Sequence, residues 1–115
     1  MTYMSDRMAE MGSLMDRLRS EYPKETEGFL TFLGEAESGK NVSAKDKELI
    51  NVALSVAAQC EWCIAFHVKN AADLGATKGE LVEAGFQAVL MHGGPAFMWM
   101  TRLLQAVDEF VSDPG

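Results

Sequence analysis

The reactive groups of this sequence concentrate in one short segment, Cys60-Glu61-Trp62-Cys63-Ile64-Ala65-Phe66-His67. Residues three and four apart share a face of a helix, so on a helix Cys60, Cys63 and His67 project together. Helical side chains lean toward the N-terminus, which brings the imidazole of His67 over Cys63. A thiol with a pKa of about 8.5 is only a few per cent thiolate at neutral pH, and the thiolate is the nucleophile. An imidazole beside it takes the proton, and the N–H groups at a helix start stabilise the anion. A second cysteine three residues away can attack an oxidised first cysteine and close a disulfide. The segment therefore holds a nucleophile, a base and a resolving thiol, sufficient for a thiol redox cycle.

The same residues admit blander readings. Two buried cysteines and a hydrogen-bonded histidine would simply pack a helix. Cys60, Cys63 and His67 are also three zinc-ligand types, with His92 or Glu48 as a fourth. Structural zinc sites usually add a second Cys or His pair at short spacing, and the sequence has none, so no metal is expected. Glu48 lies twelve residues before Cys60, a rotation of roughly 120° on one continuous helix, so the two would not share a face. A kink near Cys60, or an antiparallel return of the chain, would bring Glu48 back to the thiols. From spacing alone Glu48, among Lys45, Asp46 and Lys47, reads as a solvated first-turn carboxylate. His92 reads as a cation closing a helix. Trp62 and Trp99 read as core or interface aromatics, and Gly93-Gly94-Pro95 lacks the spacing of a phosphate-binding loop, so no cofactor is expected.

The elements that must carry these residues are helical. No segment alternates apolar and polar residues over strand length, whereas helical spacing recurs throughout. Met4, Met8, Met11, Met15 and Leu18 form one stripe on a first helix, suited either to the chain's own core or to another subunit. Pro23 suits the first turn of a second helix over about 24–37, with Phe29, Leu30, Phe32 and Leu33 inward and a stop at Gly39. Ser43 reads as the N-cap of a third helix over 44–59, apolar on much of its circumference and so expected at the centre of the core. A fourth stretch over 60–74, continuous with the third or kinked at Cys60, ends at Gly75. Thr77 with Glu80 is a capping box opening a fifth helix with Leu81, Val82, Ala84, Phe86, Val89 and Leu90. After Gly93-Gly94-Pro95 a sixth helix over 96–111 turns Phe97, Met100, Leu103, Leu104, Val107 and Phe110 inward, and Asp113-Pro114-Gly115 is expected to fray. The expected fold is all-α, a compact bundle of about six helices.

The chain has 115 residues, enough for one domain, taken as residues 1–115, with a real core. Apolar residues make up 48% and charged residues 23%, which sets the chain apart from disordered sequences. Ten Lys and Arg against seventeen Asp and Glu give a net charge of −7, an unsuitable balance for nucleic acid or an anionic membrane. The most apolar run, 49–58, is about half the roughly 20 residues a membrane span needs. The N-terminal segment has no secretory apolar region. A cytoplasmic protein is expected, where reversible chemistry of the two cysteines is favoured over a permanent structural disulfide.

With Glu48, Cys60, Cys63 and His67 in place, the sequence resembles the alkylhydroperoxidase D-like branch of the carboxymuconolactone decarboxylase family. The signature of that branch is a glutamate followed about a dozen residues later by C-x-x-C-x-x-x-H. The flanks agree: Lys47-Glu48-Leu49-Ile50 before it, Ala72-Asp73-Leu74-Gly75-Ala76-Thr77 with Glu80-Leu81 after it, and the Gly93-Gly94-Pro95 break. The likeness runs from about residue 24 to 111. It implies an all-helical homo-oligomer, often a trimer or hexamer, with peroxidase and disulfide-reductase chemistry at the cysteine pair. It implies Cys63 as the peroxidatic thiol, deprotonated with help from His67 and Glu48. Cys60 would be the more exposed resolving thiol, and an external dithiol the reductant. Trp62 departs from the pattern, since the best-characterised peroxidases of this type carry histidine there as part of the proton relay. The departure leaves thiol–disulfide exchange open beside peroxidase activity. Lactone decarboxylases of the family lack the cysteine pair, which disfavours that reaction. Two non-enzymatic alternatives remain: an oligomeric module that senses oxidation, and a zinc-binding structural protein.

Overall fold

A computed structural model describes residues 2–112 of the chain; the expected fraying tail at Asp113-Pro114-Gly115 lies outside the described residues. Among the described residues six helices follow one another: α1 Tyr3–Glu21, α2 Pro23–Ser38, α3 Ala44–Ala57, α4 Glu61–Asp73, α5 Lys78–His92 and α6 Gly94–Phe110. The all-α expectation holds, and the boundaries follow the capping chemistry. Ser43 accepts the Asp46 N–H through its hydroxyl at 3.1 Å, and Thr77 with Glu80 forms the reciprocal capping box, each satisfying N–H groups that lack intrahelical partners. Pro23 sits at the start of α2. Gly75 follows α4 at φ +90°, a conformation that costs glycine nothing. Lys45 binds Glu80 at 2.9 Å. That contact, with the Thr77 backbone N–H, holds the Glu80 carboxyl below the ordinary carboxylate range. No described helix is long and apolar enough to cross a membrane.

The core sits among α3, α4, α5 and α6, with the start of α1 laid across it. Val52 and Val56 of α3, Ile64, Ala65 and Val68 of α4, Leu81 of α5 and Leu103 and Val107 of α6 are buried together. The α5–α6 crossing is close because Gly85 stands at it: a Cβ there would lie 2.5 Å from Leu103 Cδ2 and 2.8 Å from Met100 Sδ. Leu103 is fully buried and has little room to yield. Alanine gains about 1 kcal/mol of helix propensity over glycine, whereas overpacking costs about 1–3 kcal/mol. Gly85→Ala is therefore expected to lose about 1 kcal/mol net, read as a lower urea midpoint with an unchanged slope.

Several inward expectations are corrected. On α2, Phe29, Phe32 and Leu33 are exposed and only Leu30 is partly covered; the buried residue is Thr26, whose hydroxyl donates to the Leu18 and Tyr22 carbonyls. The reason is placement: α2 packs on α1 and stands away from the central core. The methionine stripe divides. Met4 is fully buried in the core, while Met11, Met15 and Leu18, further along α1, are only partly covered. On α3, Ile50 and Leu54 are exposed, so that helix is central on one face only. Phe86 and Leu90 of α5 and Phe97 and Leu104 of α6 also face outward. Helical periodicity marks a face as apolar, and it does not say whether the chain itself covers that face.

Candidate functional site

The choice between a continuous and a kinked third and fourth helix resolves as a break. The α3 ladder ends with Ala58 N–H donating to the Leu54 carbonyl at 2.8 Å, and Cys60 N–H then reaches back to the Ser55 carbonyl at 3.1 Å. Gln59 between them adopts φ +57°, a left-handed conformation uncommon for a residue with a side chain. The chain reverses there and α4 returns along α3. Cys60 becomes the N-cap of α4, where its Sγ accepts the Cys63 N–H at 3.1 Å. Cys60 and Cys63 are joined as a disulfide with their Cα atoms 5.2 Å apart. Both are partly buried, so the expectation of a distinctly more exposed Cys60 does not stand out in this oxidised form.

Glu48 is not a solvated carboxylate. It is 6% exposed, and its Oε2 lies 2.8 Å from His67 Nδ1. The reversal at residues 58–60 produces this contact, and the phase of α3 set by the Ser43 cap directs it. Glu48, Val52, Ser55 and Val56 are spaced four, three and one apart and are all buried, so Glu48 stands on the core stripe. Its charged neighbours turn elsewhere: Lys45 to Glu80, Lys47 to the Glu37 and Gly39 carbonyls. A carboxylate only accepts, so His67 Nδ1 carries the proton of this bond, and in the neutral imidazole Nε2 is then the acceptor nitrogen. His67 lies four residues beyond Cys63 on the same helix face. An open depression of about 380 Å³, lined by Glu37, Ala44, Glu48, Asn70, Asp73 and Leu74, reaches the Glu48 side of the pair.

Of the residues weighed as zinc ligands, the two sulfurs are bonded to each other in this oxidised form, and His92 is exposed in the last turn of α5. Of the two readings of Trp62, core or interface aromatic, the core one does not hold: the residue is 43% exposed, and its indole N–H donates to Glu10 Oε1 at 2.8 Å.

That bond belongs to a cluster that sequence reasoning missed. The Tyr3 hydroxyl donates to Glu61 Oε2. Arg7 Nη1 is 3.5 Å from Glu61 Oε1 and Arg102 Nε is 3.6 Å from Glu61 Oε2. Both guanidinium carbons lie 4.6 Å from the centre of the Tyr3 ring, within cation–π range. Burial opposes the Arg7 charge, but the Tyr3 hydroxyl and the Glu10 and Glu61 carboxylates outweigh it and hold the guanidinium above its ordinary pKa. The available signal was the spacing of Tyr3, Arg7 and Glu10, four and three apart, one residue out of phase with the methionine stripe.

The helical fold of the described residues has a solved counterpart. It matches the crystal structure of an apo carboxymuconolactone decarboxylase family protein from Legionella pneumophila with a TM-score of 0.89 and 36% identity, covering 93% of this chain and 96% of that one. The sequence model of the carboxymuconolactone decarboxylase family matches residues 23–106, and the chain belongs to that family. An uncharacterized protein of Cupriavidus necator is 30% identical over 107 residues, 93% of this chain and 95% of its own length. An uncharacterized protein of the cox locus of Paracoccus denitrificans is 40% identical over 65 residues, 56% of this chain and 59% of that protein.

Proposed function

We propose that this chain is a thiol-dependent peroxidase of the alkylhydroperoxidase D-like type, with disulfide-reductase capacity. The observation that carries the reading is the Glu48–His67 bond at 2.8 Å, on the helix whose first turn holds the Cys60–Cys63 disulfide. With Nδ1 bonded to Glu48, the neutral imidazole has Nε2 as its base, and His67 lies on the helix face that Cys63 shares. In the proposed cycle His67 takes the Cys63 proton, directly or through a water, and Glu48 stabilises the resulting imidazolium. The Cys63 thiolate attacks the peroxide O–O bond, giving Cys63 sulfenic acid and an alkoxide that takes up a proton to leave as alcohol. The Cys60 thiol condenses with the sulfenic acid, forming the disulfide and releasing water. An external dithiol exchanges with the pair and leaves as its own disulfide.

Trp62 cannot replace a relay histidine, since its indole N–H only donates and is held by Glu10. That feature favours disulfide exchange as the second activity of the same pair. We place the protein in the cytoplasm, where dithiol donors are available. We further propose that it assembles from copies of itself, as a trimer or hexamer. The support is the number of large apolar side chains left exposed on α2, α3, α5 and α6, among them Phe29, Phe32, Ile50, Leu54, Leu90 and Phe97, which a second copy could cover.

The test is consumption of an organic hydroperoxide with a dithiol donor, beside light scattering of both redox forms. Many equivalents of peroxide consumed per chain, at an unchanged mass that is three or six times 12.6 kDa, is the expected result. Consumption of one equivalent with a change of mass would replace the enzyme reading with a redox sensor. A mass equal to one chain would remove the assembly proposal.

A further inference from the structure

The two residues between the cysteines are fastened to other helices. Glu61 is held by Tyr3 and Arg7 of α1 and by Arg102 of α6, and its side chain is only 16% exposed. Trp62 is held by Glu10 of α1, which also pairs with Arg7 at 2.7 Å. These are the first two residues of α4, in the turn where a helix lacks intrahelical partners and frays. The turn before them depends on Gln59 in a left-handed conformation. Once the disulfide opens, the local bonds of Cys60 are its Sγ cap on the Cys63 N–H and its backbone bonds to Ser55 and Ile64, all at a first turn that frays readily. The long-range clamp adds to them, because it grips the residue next to Cys60 and the residue next to Cys63.

The geometry points to a positioning role: the Tyr3–Arg7–Glu10–Arg102 clamp on Glu61 and Trp62 keeps the first turn of α4 formed in the reduced protein. It thereby holds the two thiols at a high effective concentration and keeps the disulfide thermodynamically favoured. The inference rests on the redox reading of the cysteine pair and does not require peroxide to be the substrate. Releasing the clamp lets the reduced turn fray, so the reduced form gains conformational freedom that the cross-linked form does not. The equilibrium for closing the disulfide then falls.

Tyr3→Phe combined with Trp62→Phe removes both neutral donors of the clamp and leaves every charge in place, so thiol pKa values are not the variable. Wild type and variant are equilibrated in dithiothreitol redox buffers, quenched by alkylation and scored by mass spectrometry. The variant is expected to shift about tenfold toward the reduced form, equivalent to a potential about 30 mV less negative. Glu10→Ala, at a side chain 54% exposed, removes the Trp62 bond without cutting into the core and should give a smaller shift in the same direction; it serves if the double variant fails to fold. A lowered thermal midpoint with unchanged redox equilibrium in the folded variants would overturn the clamp's role. A redox shift in a protein that never turns over peroxide would retain the clamp and overturn only the peroxidase reading.

Discussion

Cys63→Ser is expected to abolish peroxide turnover, a loss of at least about a thousandfold, because no other group in the cycle can attack the O–O bond. Serine is close in size at a partly buried site, so the fold should persist and circular dichroism should be unchanged. Cys60→Ser should behave differently. Cys63 would still react once and stop as a sulfenic acid, detected as one added oxygen on that residue by mass spectrometry. Turnover retained in Cys63→Ser would overturn the site assignment. A sulfenic acid trapped on Cys60 in Cys63→Ser, with none on Cys63 in Cys60→Ser, would exchange the two roles.

His67→Ala should slow Cys63 thiolate chemistry by about a hundredfold at neutral pH, within the span usual for a lost general base. The measurement is the pH dependence of single-turnover alkylation at each cysteine in reduced protein. The wild-type curve for Cys63 should lie well below the ordinary thiol range, and His67→Ala should move it up toward about 8.5. Glu48→Gln keeps an acceptor for His67 Nδ1 and loses only the charge, so its curve should move in the same direction but less. The variants also separate chemistry from stability. Removing His67 leaves Glu48, 6% exposed, without its partner at a cost of about 1–3 kcal/mol, whereas Glu48→Gln leaves the pair bonded. Cys63 curves that coincide in all three proteins would exclude the relay.

Much of the architecture was legible locally. Ser43, Thr77 with Glu80, Pro23 and Gly75 set helix ends through contacts within a few residues, and the structure bears them out. The C-x-x-C and His67 spacing lies within one helix, so its shared face follows from helix geometry alone. Glu48 was different. Spacing along a continuous helix turned it away from the cysteines, and the family resemblance alone put it with His67. The reversal at Gln59 explains why: a glutamine at positive φ carries no local sequence signal.

The sequence by itself determined the six helices, their caps and the cysteine–histidine face, because those depend on interactions between near neighbours. Tertiary structure decided three further matters. It buried Glu48 against His67, it left the apolar faces of α2 and parts of α3, α5 and α6 open, and it brought Tyr3, Arg7 and Arg102 onto Glu61. Each depends on where one helix lies against another, and an amphipathic pattern states only that a face must be covered, not by what.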